Sequence, residues 1–196
     1  MPCSPEAQGR RPQPFVPAEK PPHSGRRAGA AFLLAGVCCL AATLPAAHAE
    51  AVLHCVIRSV HDGDSMRVQC PDERRTTAVR MHQIDAPELE QTHGIQSRNI
   101  LRKLCRKNST AVIRTQGRDQ YGRLLGDVSC EGKSVNKEMV AAGAAWVYDR
   151  HVEDRSLYRL QNEARVRAQG LWADPDAQAP WRWRYEDRHG GRESEY

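Results

Sequence analysis

The chain has 196 residues, 40% hydrophobic, 6% aromatic and 27% charged, with a formal net charge of +5. That length holds one domain with its own core plus flanking segments. Residues 50–196 carry 24 Lys and Arg against 22 Asp and Glu, which excludes the strong basic field of a protein that coats DNA non-specifically.

Residues 1–25 are rich in Pro and Arg and read as disordered. Arg26 and Arg27 precede a mostly apolar run from Ala28 to Leu44, and Ala47-His48-Ala49 follows. These are the three parts of a secretory signal peptide, with cleavage expected before Glu50. An uncleaved membrane anchor is the weaker reading, because the run has few large apolar residues and meets Pro45. The expected location is therefore secreted or periplasmic. Such compartments are oxidising and permit disulfides.

The next stretch, Ala51 to Cys70, reads as a β-hairpin around Asp62-Gly63, with Gly63 expected to supply the positive φ of a tight turn. A third strand is expected over Arg74 to Gln83, then a loop over Ile84 to Gly94 containing Pro87. Ile95 to Lys107 reads as a helix with Ile100, Leu101, Leu104 and Cys105 on one face. Strands follow over Thr110 to Thr115 and Leu124 to Cys130. Ser134 to Ala142 reads as a short helix closed by Gly143, and Glu153 to Gln169 as a third helix closed by Gly170. Residues 173–196 read as a polar, partly ordered tail, so the domain is expected over residues 50–172. The order of elements fits an α+β fold, a five-stranded OB-type β-barrel with three packed helices.

Of seven cysteines, Cys3, Cys38 and Cys39 lie in the leader. Cys55, Cys70, Cys105 and Cys130 remain, and no pair has C-x-x-C spacing, which speaks against a zinc ribbon or redox motif. Three pairings are open to them. Cys55 and Cys70 flank the hairpin turn almost symmetrically, which favours their pairing and leaves Cys105 with Cys130.

Three short clusters carry the chemistry. The first is His61-Asp62-Gly63-Asp64-Ser65, which alone is an ordinary turn. The second runs from Arg80 through Ile84-Asp85-Ala86-Pro87-Glu88, and the third is Asp119-Gln120-Tyr121-Gly122-Arg123. Together they set the carboxylates Asp64, Asp85 and Glu88 beside the guanidiniums Arg80 and Arg123. Hard divalent cations take oxygen ligands of this kind. Guanidinium is always charged and matches phosphate oxygens in pairs. Carboxylates for a metal next to arginines for phosphate suit phosphodiester cleavage.

The patterns D-G-D-S, R-x-x-x-I-D-A-P-E and D-x-Y-G-R, followed by Val135-Asn136 and Gly143, resemble the staphylococcal nuclease family over roughly Val56 to Trp172. The resemblance implies an OB-fold barrel with three helices and Ca²⁺-dependent hydrolysis of DNA and RNA at the 5′ P–O bond, leaving 3′-phosphates. It implies that Asp64, Asp85 and the Ala86 carbonyl hold the calcium, with Asp62 beside it. Glu88 would be the general base, Arg80 and Arg123 would bind phosphate and stabilise developing charge, and Tyr121 would hydrogen-bond a terminal phosphate. The chain is expected to act as a monomer, without lasting membrane association once the leader is cleaved.

The chain also departs from the family's type member. Gln120 stands where that member has Lys, and its base-stacking aromatic has no clean counterpart, although Trp146 and Tyr148 lie nearby. Trp146 reads as core. The four cysteines are this chain's own feature. His61 and His82 lie near the site, but no pair has H-x-x-x-H spacing, so they read as surface or supporting residues rather than zinc ligands. Trp181, Arg182, Trp183 and Arg184 alternate aromatic with basic, a pattern that either stacks on single-stranded nucleic acid or packs on the barrel. Two rival functions remain: a non-catalytic nucleic-acid-binding OB module, and a metal-dependent phosphodiesterase acting on a small nucleotide.

Overall fold

A computed structural model describes residues 51–190 apart from Asp72. The leader, the signal peptide and its cleavage point lie outside the described residues. Five strands close a barrel: β1 (Ala51–Val60), β2 (Ser65–Gln69), β3 (Thr77–Met81), β5 (Thr110–Arg118) and β6 (Leu124–Cys130). Neighbours pair antiparallel in the order β3-β2-β1-β5-β6, and a parallel pairing of β3 with β6 shuts the barrel. A second ladder is only two residues long on each side: β4 (Ile84–Asp85) pairs with β8 (Trp146–Val147). A short β7 (Lys133–Ser134) extends β6.

Alternation in the sequence explains the core. In β6, Leu124, Gly126, Val128 and Cys130 point inward while the residues between are half-buried. In β1, Cys55 and Ile57 point inward, but the next buried residue is Val60, three positions on. A bulge between Ile57 and Ser59 restores the phase by adding one residue to that strand. Ile57, Val68, Val79, Ile113 and Val128, one from each barrel strand, are wholly buried. Each such side chain contributes about 1.5–3 kcal/mol relative to exposure.

The helices are α1 (Gly94–Leu104), α2 (Val135–Ala141), α3 (Ser156–Val166) and α4 (Pro180–Gly190). Leu101 of α1, Met139 and Val140 of α2, and Leu157 and Ala164 of α3 are buried, and on α1 the face read from the sequence is the one that packs, with Ile100 and Leu104 partly buried beside Leu101. Gly143 closes α2 at φ 62°, a left-handed conformation that glycine adopts without strain. Both expected disulfides are present. Cys55–Cys70 joins residues aligned across the β1–β2 hairpin at a Cα separation of 4.1 Å, and Cys105–Cys130 ties the end of α1 to β6.

The OB-type α+β architecture agrees with the sequence reading, with one correction. Where three helices were expected, the described residues hold four, because the segment read as a polar tail contains α4. It begins at Pro180, whose missing N–H and fixed φ suit the first turn of a helix. None of the helices among the described residues is long and apolar enough to cross a membrane.

Candidate active site

Three aspartates are brought together from two connections. The β1–β2 turn places Asp62, Gly63 and Asp64. Asp62 Oδ1 accepts from the Asp64 N–H at 3.0 Å and from Ser65 Oγ at 2.8 Å, so the half-buried Asp62 holds the turn itself. Gly63 is needed here for a different reason from the one its sequence context suggests. It has no positive φ; instead a Cβ there would lie 1.8 Å from Ser97 Oγ and 2.7 Å from the Ala86 Cβ. The glycine lets the turn press against α1 and the segment after β4. As a result the Ala86 N–H donates to Asp64 Oδ2 at 2.7 Å. Asp85 is fixed by the β4–β8 ladder, opposite Trp146. Asp64 and Asp85 are 5% and 1% exposed.

Arg80, on β3 where the barrel closes, neutralises both. Its Nη1 is 2.9 Å from Asp64 Oδ2 and its Nη2 is 2.8 Å from Asp85 Oδ1. Nη1 also donates to the carbonyls of Met81 and Ile84 at 3.1 and 3.0 Å. Burial opposes the Arg80 charge, yet Asp64, Asp85 and Asp62 hold its pKa above the ordinary value. Burial pushes the Asp64 carboxyl well above the usual carboxylate range; Arg80 counters that, and Asp62 and Asp85 reinforce it.

Arg123 sits in the β5–β6 loop with Asp119 and Tyr121. Its Nε is 2.7 Å from Asp119 Oδ2, and Asp119 Oδ1 accepts from the backbone N–H of Tyr121 and Arg123. Against a desolvation that raises it, these bonds hold the Asp119 carboxyl below its usual pKa. The Arg123 guanidinium lies 5.5 Å from the Tyr121 ring centroid. Tyr121 is 74% exposed. Asp62, Asp64, Arg80, Asp85, Ala86 and Glu88 line one cleft of about 1050 Å³, and Gln120, Tyr121 and Arg123 line it too. The structure thus brings all three sequence clusters to a single concave site.

Arg184 of α4 is the residue that sequence reasoning did not assign to the site. Its Nη1 donates to Glu88 Oε1 at 2.7 Å and to Asp85 Oδ1 at 3.2 Å, and its Nη2 donates to Asp85 Oδ2 at 2.7 Å. Burial lowers the Arg184 pKa, but Asp85 and Glu88 together carry it above the ordinary value. The only sequence signal was the basic-aromatic alternation around it. Among the described residues, no three His, Cys, Asp or Glu side chains stand together as a ready metal cage. Arg80 and Arg184 occupy positions between the carboxylates.

Several nearby residues take other parts. Trp146 is core, as its size suggested, with its ring edge-on to Trp172 at 4.8 Å. Tyr148 lines the cleft, 5.8 Å from Trp181. His61 is exposed. His82 is buried, its pKa lowered by desolvation, and its carbonyl accepts from Asn136 Nδ2 at 2.7 Å. Neither histidine lines the cleft.

Comparison with known proteins agrees with this geometry. The family model described as staphylococcal nuclease homologue matches residues 78–174. A protein of Escherichia coli described as an uncharacterized endonuclease is 43% identical over 134 residues, covering 68% of this chain and 86% of that protein. A micrococcal nuclease of Shigella flexneri is 37% identical over 134 residues, covering 63% of this chain and 75% of that protein. Protein ParB of Escherichia coli is 33% identical over 168 residues, covering 80% of this chain and 93% of that protein.

Proposed function

Because the chain belongs to the staphylococcal nuclease family and is therefore a nuclease acting on nucleic acid, we propose that it is calcium-dependent and cleaves DNA and RNA at the 5′ P–O bond, leaving 3′-phosphates. The observation that carries this reading is the convergence of Asp64, Arg80, Asp85, Glu88 and Arg123 on one cleft.

The donors fit calcium. Asp64 and Asp85 carry hard oxygen donors, and burial, which raises the Asp64 pKa, disfavours leaving that carboxylate charged without a cation. Asp64, Asp85 and the Ala86 carbonyl would hold the ion, with Asp62 beside it. Bound there, calcium supplies polarisation of the phosphoryl group and orientation of water. Arg184 covers both oxygens of Asp85, so it must move aside for the ion.

The chain's own residues supply the rest. Glu88 lies at the rim with its side chain 31% exposed, within reach of water, and accepts the proton of the attacking water. Arg80 is held from four sides and offers a fixed positive charge for the phosphate. Arg123, 35% exposed, is steered by Asp119 towards the same phosphate, and Tyr121 binds a terminal phosphate. The two disulfides and the expected leader support work in an oxidising compartment, secreted or periplasmic.

The test is cleavage of plasmid DNA and of RNA with Ca²⁺, Mg²⁺ or chelator, alongside Glu88→Gln. Loss of cleavage in chelator, and a loss of about 10²–10⁴ in rate for Glu88→Gln with binding intact, supports the reading. Equal cleavage in chelator sinks the calcium assignment. Full activity of Glu88→Gln sinks the general base.

A further inference from the structure

The helix α4 was not part of the expected site, yet one of its faces looks into the cleft. Trp181, Arg184, Tyr185 and Arg188 follow the spacing i, i+3, i+4, i+7 and all line it. Arg184 is occupied by Asp85 and Glu88 and anchors the helix there. Of the others, Trp181 meets Tyr148 and Tyr185 stacks on His189 of the same helix, with ring centroids 4.2 Å apart, yet both rings keep a large exposed surface. Trp181 is 38% exposed and Tyr185 is 59% exposed, so two large rings stay wet at the mouth of a catalytic cleft. Arg182 also lines the cleft, and neither it nor Arg188 has a carboxylate partner among the described residues; the Arg188 side chain donates only to the Arg184 carbonyl. Across the gap, Tyr148 approaches Trp181 with centroids 5.8 Å apart and planes tilted by 48°.

We propose that α4 is the second wall of the nucleic-acid groove, and that its Trp181 and Tyr185 select unpaired strands by stacking on bases while Arg182 and Arg188 bind the adjoining phosphates.

Charge complementarity supports the occupant. The carboxylate wall holds the catalytic groups, and the α4 wall presents free guanidiniums to a polyanion. The rings decide the strandedness. In a duplex each base face is covered by its neighbours, so aromatic side chains beside the cleft gain a partner only when bases are splayed out. Stacking is indifferent to base identity because every base has a π-face, which leaves the groove without sequence preference. This inference rests on the family's nucleic-acid substrate and not on the calcium assignment, so the two fail separately.

The experiment is fluorescence anisotropy in chelator, with a gel of each sample showing the ligand uncut, using labelled oligothymidylate of about ten nucleotides and a duplex of equal length. Wild type is compared with Trp181→Ala, Trp181→Phe, Arg188→Ala and the double variant Trp181→Ala/Tyr185→Ala. Trp181→Ala should weaken single-strand binding at least about tenfold, in line with the worth of one stacked base, and change duplex binding less than about twofold. Trp181→Phe keeps a ring and should regain most of the affinity. Arg188→Ala should weaken both ligands and lower the salt slope of single-strand binding by about 0.7. Thermal melts accompany each variant, because a misfolded protein would lose both ligands and Trp181→Phe would not rescue it. Wild-type affinity for oligothymidylate in the double variant overturns the proposal. So does equal loss on duplex and single strand, or failure of the wild type to bind the oligonucleotide at all.

Discussion

Arg184 Nη2 lies 2.7 Å from Asp85 Oδ2, a contact that joins residues 99 positions apart and fastens the C-terminal helix to the barrel. Asp85 is 1% exposed while the Arg184 side chain is 35% exposed, so the pair links a buried acid to the open cleft. A calcium ion on Asp85 would have to displace Arg184, whose contacts cover both carboxylate oxygens. Arg184→Ala should therefore bind Ca²⁺ about 10–100-fold more tightly in calorimetry, because the charge-assisted contacts to Asp85 no longer have to be displaced. The same variant should melt lower than wild type in chelator and recover with Ca²⁺. Calcium affinity that is unchanged or weaker would show that the guanidinium and the ion do not compete.

The two arginines proposed to meet phosphate differ in what else they support. Arg80 is 16% exposed and bridges two buried aspartates. Removing it leaves the buried Asp64 without a cationic partner and Asp85 with Arg184 alone, at a cost on the order of 3–5 kcal/mol. Arg123 pairs with one half-exposed loop residue, a contact worth at most about 1 kcal/mol. Denaturant unfolding should thus separate Arg80→Ala from Arg123→Ala, while both lose about 10²–10³ or more in cleavage rate. Equal stability of the two variants would contradict the ion-pair account.

Gly63→Ala tests the contact that sets Asp64. The added methyl would meet Ser97 Oγ, which itself donates to the Ala144 carbonyl at 2.6 Å, and the Ala86 Cβ. Neither neighbour is a free side-chain end, so the turn must shift. A loss of roughly 1–3 kcal/mol is expected from such overpacking, together with weaker cation binding. Wild-type stability in urea would mean the turn relaxes without strain.

Asp154 gives a clean pH signature away from the cleft. Its carboxyl is lowered to about 2 by the Lys137 ammonium at 2.8 Å and by hydrogen bonds from Ser156. A depressed carboxylate stabilises the fold above its unfolded pKa of about 3.9 and loses that contribution as pH falls towards the folded value. Asp154→Asn should therefore melt lower than wild type at pH 7, by no more than about 1 kcal/mol because the pair is half-exposed. The gap should close between about pH 4 and pH 2. A constant gap across that range would assign the difference to something other than charge.

The chemistry of this protein was legible locally. The clusters around Asp64, Arg80–Glu88 and Tyr121–Arg123 are short runs whose residue types already state oxygen ligation and phosphate binding. Strand alternation in β6 and the apolar stripes of α1 and α3 likewise repeat within a few residues, so the barrel order and its packing faces could be read. The near-symmetric positions of Cys55 and Cys70 about a turn pointed to one disulfide, since a hairpin converts sequence symmetry into proximity. Other features have no local signature. The β4–β8 ladder that fixes Asp85 is two residues long, too short for any periodicity. The role of Gly63 lies in the close approach of α1 and Ala86, which only the folded chain brings beside it. The helix α4 has few apolar residues to mark it, and its place over the cleft depends on an ion pair between Arg184 and acids nearly a hundred residues earlier. The sequence by itself thus determined which groups are candidates for the chemistry and the barrel that carries them. The tertiary structure alone decided which cation covers the acids and what forms the far wall of the cleft, because both depend on distances between segments that no local pattern encodes.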